Sequence, residues 1–526
     1  MSYSFPWASG SAIFSGINGG NYSSLNEYAA FHHYALNATQ QAAARAALQS
    51  WANVANINFQ EVNDTPTNVG DIRFAWTSIT DTTSTGGQAW GWSQFPDAYS
   101  PAAGDIWIST VVTDTDWSAG SVNYSALIHE IGHSLGLKHP FETVNLVGVV
   151  LPTYLDTRQY TVMSYTDPAN DLFRTVTYTA NGATSLTYHV PCQTPMVLDI
   201  AAMQFLYGAN TTYHTDDDTY TFDTGAPFYK TIWDAGGNDT ISVSNFTENC
   251  RIDLTPGNYS SIKILSAPIR AGYIFTGGTE PTYDGTNNLG IAYNCIIENA
   301  VGGSGNDILT GNSANNRLDG GAGNDAITGA AGNDTLTGGA GYDTIDGGAG
   351  VDTAIFSGNR SNFIVTKSGT GFIVADTKGV NGTDALTNVE RLQFDDTRIA
   401  LDINGNAGIT AKILGAVFGA AAVSNTVCAG IGLSCLDGGM SYADLTLLAL
   451  NGRLGIGFTN ADEVNLLYQN LVGNLPSTAD LDYFVGTITS GQYTQATFGV
   501  MAADHSINTA NINLVGLVQT GIEYSG

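Results

Sequence analysis

Residues 129–139 read His129-Glu130-Ile131-Gly132-His133-Ser134-Leu135-Gly136-Leu137-Lys138-His139. The chain has 8 histidines, and three of them fall in this stretch. The sequence predicts a helix over 125–137. On a helix, positions four apart share a face, so His129 and His133 can aim two imidazoles at one point. Glu130 lies one residue on. That places it beside a metal rather than on it, where a carboxylate can serve as general base. Gly136 can adopt φ > 0 and end the helix. The chain then turns and returns His139 as a third ligand. Three nitrogen ligands leave a fourth position for water, which is the catalytic form of a zinc site. The full HExxHxxGxxH pattern is far more demanding than HExxH, because the glycine and the third histidine are independent requirements.

Working outward, Tyr160-Thr161-Val162-Met163-Ser164-Tyr165 supplies a Met-containing turn downstream. Helix motif and turn together resemble the metzincin metallopeptidases. Finer features narrow the resemblance to the serralysin family: Pro140 after His139, Asp156-Thr157-Arg158-Gln159 before the Met-turn, and the helix from Asp199 to Asn210. The resemblance implies an α/β metzincin-like catalytic domain acting on protein or peptide substrates. Met163 would form an apolar floor beneath the zinc. Tyr165 would be an additional zinc ligand that can swing away to hydrogen-bond the oxyanion. Glu130 would take a proton from water and pass it to the leaving amine. The strand Gly104–Ile108 resembles the edge strand that pairs with substrate in this group. An edge strand with no partner is the other reading. Elsewhere in this part, a helix is predicted over 39–55, capped by Asn37 or Thr39. It would bury Ala44, Ala47, Leu48, Trp51 and Val54 on one face. A third helix is expected over 198–207.

From about residue 211 the texture changes to short β runs and Gly/Asn/Asp turns. Within it lies a nine-residue repeat: GGSGNDILT (302–310), GNSANNRLD (311–319), GGAGNDAIT (320–328), GAAGNDTLT (329–337), GGAGYDTID (338–346) and GGAGVDTAI (347–355). The pattern is the RTX-type nonapeptide, in which a Gly-rich half-turn alternates with a short strand and two repeats make one turn of a parallel β-roll. Sixth-position acids are Asp307, Asp325, Asp334, Asp343 and Asp352, with Asn316 replacing the acid once. With the turn glycines Gly302, Gly303, Gly305, Gly320, Gly323, Gly329, Gly332, Gly338 and Gly341, they offer the hard oxygen ligands that suit several structural Ca²⁺ ions. Eighth positions Leu309, Leu318, Ile327, Leu336, Ile345 and Ala354 would stack into a thin core. Asp234 and Asp239, in Trp233-Asp234-Ala235-Gly236-Gly237-Asn238-Asp239, are candidate ligands in a lead-in segment. Composition alone reads as a flexible linker. Fixed phasing with one apolar residue per strand argues for a roll, which crowded carboxylates would couple to calcium binding. A hairpin is expected over 363–374, turning at Gly369-Thr370-Gly371. The RTX resemblance implies export from a bacterium by a type I secretion apparatus, with the roll folding in external calcium.

The remaining chain fits this picture. The 526 residues carry 47 Asp+Glu against 17 Lys+Arg, a net charge of −30, which disfavours nucleic acid and anionic membranes as partners. The N-terminus has neither a basic segment nor an apolar core, so no secretory signal peptide is read there. The stretch 413–423 is too short for a membrane span and reads as a packed helix. Of the five cysteines, Cys428 and Cys435 are close enough in sequence to bridge. The expected organisation is a multidomain chain. An α/β catalytic domain occupies 1–210, an all-β parallel roll with flanking strands 211–400, and a small mainly helical module 401–526. That last module is open to three readings: it carries the secretion signal, contacts the cell surface, or binds another protein. Two classes of function compete, a secreted zinc endopeptidase and a calcium-dependent surface protein on a protease scaffold. An intact Glu130 favours the first.

Overall fold

The computed structural model describes residues 1–6, 33–64, 69–78, 89–97, 102–143, 149–179, 182–268, 270, 279–379 and 381–525. His32 lies outside the described residues. The chain forms two compact units, Met1–Ile297 and Glu298–Gly526.

In the first unit, six strands precede the metal motif: β1 (Ser2–Ser4), β2 (His33–Tyr34), β3 (Gln60–Glu61), β4 (Ile72–Thr77), β5 (Gly91–Ser93) and β6 (Ile106–Ser109). They form one sheet in the order β3-β1-β4-β6-β5, with β2 also paired to β4. β3, β1, β4 and β6 run parallel, while β5 is antiparallel to β6. Helix α1 spans Ala38–Val54 and α2 spans Val122–Ser134. The cap of α1 is Asn37, whose side chain accepts from the Gln40 N–H at 3.0 Å while the Gln40 side chain accepts from the Asn37 N–H at 2.9 Å. This reciprocal capping box fixes where the helix starts. The five residues read as its inner face are all buried. The Trp51 indole N–H donates to the Ile128 carbonyl at 3.2 Å, which bolts α1 to the metal-motif helix. α2 starts three residues before the expected position because Ser121 caps it, accepting from the Tyr124 N–H at 3.1 Å.

A hairpin in this unit was not read from the sequence. Its strands, β7 (Leu172–Thr179) and β8 (Gly182–His189), separate the Met-turn from α3 (Val197–Tyr207). Its signal was Asn181-Gly182 between two β-branched runs, a turn dipeptide for tight hairpins. The hairpin is held from outside: the Thr282 N–H donates to the Leu172 carbonyl at 2.9 Å, and the Arg174 N–H to the Ser266 hydroxyl at 2.9 Å.

The second unit is built on the repeats. Each gives one three-residue strand, and strands two repeats apart pair in parallel, as in Leu309↔Ile327↔Ile345 and Leu318↔Leu336↔Ala354. All six eighth-position residues are buried. The two stacks continue beyond the repeats through Thr383–Thr387, where Leu386 pairs with Ile345, and Arg391–Gln393, where Leu392 pairs with Ala354. The hairpin expected over 363–374 forms, with strands Phe363–Ser368 and Gly371–Asp376.

Residues beyond 401 are mainly helical, and Ile522–Tyr524 returns as a strand antiparallel to Arg398–Ala400. Arg391, only 3% exposed, joins roll to helices through Asp402 at 2.6 Å and both oxygens of Asp437 at 2.7 and 2.8 Å. One sequence expectation fails here and one open question is answered. Over 413–423 the helix does not continue: it ends at Gly419 (φ +89°), and a short tight turn follows. Cys428 and Cys435 are both free and sit on one helix, Thr426–Asp437. Seven residues along a helix separate them by about 10 Å, too far for a disulfide. Among the described residues no helix is long and apolar enough to cross a membrane.

Glu463, on the helix Asn460–Val472, is fully buried, and neither carboxylate oxygen has a hydrogen-bond partner among the described residues. Burial pushes its carboxyl up to about 8. The folded state therefore holds a proton that the unfolded chain releases, and stability contributed by this group falls as pH rises from about 4.5 to about 8. Urea unfolding followed by helical circular dichroism is expected to show Glu463→Gln gaining on wild type across that window, by an amount on the order of a few kcal/mol at pH 8.5. Parallel pH profiles for the two proteins would contradict the assignment.

Candidate metal centre and calcium ladder

The three histidines of the motif converge. Nε2 of His139 lies 3.0 Å from Nε2 of His133 and 3.3 Å from Nε2 of His129. Each ring is aimed by its other nitrogen: Nδ1 of His129 donates to the Val162 carbonyl at 2.7 Å, and Nδ1 of His133 to the Leu137 carbonyl at 2.7 Å. Nδ1 of His139 lies 2.8 Å from the Glu142 carboxylate. Protons held at Nδ1 leave the Nε2 lone pairs facing one another, an arrangement that is repulsive unless a cation sits between them. Ligands about 2.0–2.1 Å from zinc at tetrahedral angles would be about 3.3 Å apart, so the donor set fits that ion. Burial and the neighbouring histidine hold His129 down to about 3 and His133 down to about 4, keeping both rings neutral as ligands must be.

Local sequence explains the convergence. Gly136 takes φ +104° and ends α2, so His139 can fold back toward the first two histidines. Gly132 is a glycine for a separate reason: a Cβ there would meet the Met163 sulfur at 2.6 Å. Met163 is 2% exposed and presses on the helix between the two histidines. Asp199 of α3 pins the Met-turn: its carboxylate accepts from the Thr161 hydroxyl at 2.6 Å, the Val162 N–H at 2.7 Å and the Met196 N–H at 2.9 Å. Burial pushes its carboxyl up to about 6. Sequence reading placed Asp199 on a helix but assigned it no role; only the fold brings it to the turn.

Glu130 lies beside the triad, 7% exposed, with Oε2 lacking a hydrogen-bond partner among the described residues. Burial pushes its carboxyl up to about 7. The Tyr165 ring stacks on His129 at 5.6 Å and packs on His139 at 4.5 Å, while remaining 58% exposed. A cleft of about 320 Å³ opens next to Glu130, and Trp90, Gly91, Ser125, Tyr165 and Pro191 are among the residues that line it. One expectation is corrected. The strand ending at Ile108 is not an edge, because β6 lies between β4 and β5; the edge beside the cleft is β5, Gly91–Ser93. The antiparallel β5 was not read from the sequence, and it displaces β6 inward. Three other histidines go elsewhere: His189 to Asp171 at 2.7 Å, His214 to Asp218 at 2.6 Å, and exposed His505 caps the helix that follows it.

The repeat acids form a second arrangement. Each sends one oxygen to the backbone N–H of the acid one turn earlier: Asp325 to Asp307 at 2.7 Å, Asp343 to Asp325 at 2.8 Å, and Asp352 to Asp334 at 2.8 Å. The second oxygens of Asp325, Asp334, Asp343 and Asp352 are buried without a hydrogen-bond partner among the described residues. The glycine corners leave room around them. A Cβ at Gly302, Gly320, Gly329 or Gly338 would overlap the acid's Oδ2, and at the first three also a carbonyl of the adjoining turn. A Cβ at Gly323, Gly332 or Gly341 would likewise overlap a carbonyl of the preceding turn, those of Gly305, Ala314 and Gly323 respectively. Gly303 donates its N–H to the Asp307 carboxylate at 2.6 Å. Bare carboxylate oxygens ringed by carbonyls fit Ca²⁺. Two acids missed by the repeat pattern extend the ladder: Asp384 accepts from the Asp343 N–H at 2.9 Å, and Glu390 from the Asp352 N–H at 3.0 Å. They stand 41 and 38 residues on rather than 18, because the hairpin interrupts the phase. The fragment Gly382-Thr383-Asp384-Ala385-Leu386-Thr387 still carries a repeat's spacing. The lead-in acids Asp234 and Asp239 are both buried, with Asp239 accepting from the Asp218 N–H at 2.8 Å.

Comparison with known proteins agrees with this layout. Residues 25–168 match the Matrixin family, 197–271 the Peptidase M10 serralysin C terminal family, and 301–336 and 328–358 the RTX calcium-binding nonapeptide repeat. The chain is 35% identical over 315 residues to a serralysin of Proteus mirabilis, covering 55% of this chain and 57% of that one. It is 36% identical over 308 residues to a serralysin of Photorhabdus luminescens, covering 55% and 54%. It is 35% identical over 294 residues to serralysin C of Dickeya chrysanthemi, covering 52% and 54%. The chain spans about half the length of the curated relatives it matches. The resemblance to serralysins is thus found in the metal-motif region, the segment after it, and the repeats.

Asn316 shows what the acids lack. Its Oδ1 accepts from the Asn312 N–H at 2.7 Å, and its amide donates to the Glu298 carbonyl at 3.0 Å and the Asn312 side chain at 3.1 Å. The NH₂ group does there what a cation must do at the aspartates. Asn316→Asp is expected to add one calcium per chain in equilibrium dialysis; an unchanged stoichiometry would show that this corner is closed by more than the amide.

Proposed function

We propose that this chain is a secreted zinc-dependent endopeptidase whose repeat region is folded by calcium. The observation that carries the reading is the convergence of three anchored imidazoles beside a buried carboxylate with one unpaired oxygen. His129, His133 and His139 would hold the ion. Zinc held there supplies Lewis acidity toward a scissile carbonyl and acidifies water. Glu130, kept near neutrality by burial, is suited to take a proton from the attacking water and return it to the leaving amine. Tyr165, exposed and packed on His129 and His139, is suited to donate its hydroxyl to the developing oxyanion. The free edge of β5 offers backbone groups for an extended peptide. Asp307, Asp325, Asp334, Asp343, Asp352 and the corner glycines would bind calcium, joined by Asp384 and Glu390. We place the catalytic domain over 1–210, the roll with its flanking strands over 211–400 and the helical module over 401–526. The RTX resemblance supports export by a type I apparatus, with the last module carrying the signal or meeting the cell surface.

The test uses the intact chain, loaded with zinc and calcium, on casein. Wild type is expected to cleave, and Glu130→Gln to lose at least about 10²-fold in kcat while retaining one zinc by atomic absorption. Wild type that binds both metals and cleaves nothing would overturn the reading in favour of a surface protein.

A further inference from the structure

We propose that the cleft beside Glu130 selects an acidic substrate side chain next to the scissile bond, and that Arg158 and His189 are the groups that read it. This rests on the peptidase reading above and gives it a substrate class. The cleft wall is apolar at Val122, Ala126, Val162 and Val190. Outside the metal centre, Arg158 and His189 are the residues of its described lining that can carry a positive charge.

Both are held from behind. The Arg158 N–H donates to the Thr166 carbonyl at 2.9 Å, and its carbonyl accepts from the Cys192 thiol at 3.0 Å. Nη1 of Arg158 is tied to Asp167. Nδ1 of His189 lies 2.7 Å from Asp171 and 3.5 Å from Asp167. Neither acid lines the cleft, whereas Arg158 and His189 both do.

A purely structural arginine looks different in this chain. Arg391 is 3% exposed and bonds Asp402 and both oxygens of Asp437, whereas Arg158 is 40% exposed and uses one nitrogen on one carboxylate. It lines a cavity of about 320 Å³ whose walls also include Glu130 and His129. A guanidinium stays charged at any working pH and matches a carboxylate in two-point contact. The valines can take the methylenes of a glutamate while its carboxylate reaches Arg158, and His189 in its imidazolium form adds a second donor at Nε2 while Nδ1 stays on Asp171. Asp167, Asp171 and His189 also lie close enough together to hold a metal. The guanidinium already on Asp167 takes the place a cation would fill there.

The experiment measures kcat/KM of the zinc- and calcium-loaded chain on quenched peptides that carry Glu, Gln or Leu at each position flanking the cleaved bond. At one position wild type is expected to prefer Glu over Gln by about tenfold or more. Arg158→Gln should bring that ratio to within about twofold, and His189→Gln should lower it severalfold. The ratio is internal to each variant, so a smaller folded fraction cancels. If Arg158→Gln does not fold, the half-exposed His189 decides, and an unchanged ratio there overturns the proposal. No acidic preference in wild type, or a preference that survives Arg158→Gln, also overturns it. Wild type that cleaves none of the peptides would instead strike the peptidase reading.

Discussion

Three imidazole nitrogens pointed at one spot is an arrangement that the chain must enforce, because without a cation their lone pairs repel. The enforcement is by hydrogen bond at the far side of each ring, and each anchor comes from a different piece of structure. His129 is aimed by the Val162 carbonyl of the Met-turn, His133 by the carbonyl just past its own helix, and His139 by Glu142 in the following loop. The Met-turn is in turn held by Asp199. A residue about seventy positions downstream thus sets the orientation of the first histidine. That dependence accounts for the burial of Asp199: a carboxylate accepting three hydrogen bonds in an apolar setting positions more rigidly than a solvated one.

The repeats apply the same logic with oxygen in place of nitrogen. One oxygen of each of Asp325, Asp334, Asp343 and Asp352 is consumed by the backbone of the neighbouring turn, which sets the stacking distance and the register. The other is left bare among the described residues, facing carbonyls that the glycine corners let approach. Rows of buried carboxylates with no internal donor are unfavourable by themselves. Asn316 resolves the conflict with its own NH₂ group, and the aspartates resolve it only with a cation. The high acid content of the chain is therefore concentrated where charge must be neutralised from outside.

Much of this was legible in advance, for identifiable reasons. The metal motif could be read because helix period, glycine terminator and third histidine are local in sequence. The roll could be read because its period is fixed, so Leu309 to Ala354 and their acids fell into place. The misses share a different cause: they depend on what lies next to what. Whether the strand ending at Ile108 is an edge depends on β5, a three-residue strand too short to stand out in the sequence. Asp384 and Glu390 escaped because a hairpin broke the phase. Cys428 and Cys435 are near in sequence, yet a helix holds them rigidly apart. The role of Asp199 needed the Met-turn and α3 to be seen packed together.

The two halves are stabilised by different means. In the first unit, large side chains such as Trp51, Phe74, Ile106 and Leu127 are fully buried between sheet and helices, and each such burial contributes roughly 1.5–3 kcal/mol. No disulfide assists among the five cysteines. In the roll, a nine-residue repeat buries one aliphatic side chain, and that single contribution is small against the conformational entropy of nine ordered residues, three of them glycine in most repeats. Parallel pairing over three residues adds few hydrogen bonds. What remains to stabilise the stack is the binding energy of ions at the bare oxygens, so folding of this region is a metal-binding equilibrium in a way that folding of the first unit is not. A chain built so would respond to calcium in its repeats, while the geometry of its histidine triad rests on ordinary packing.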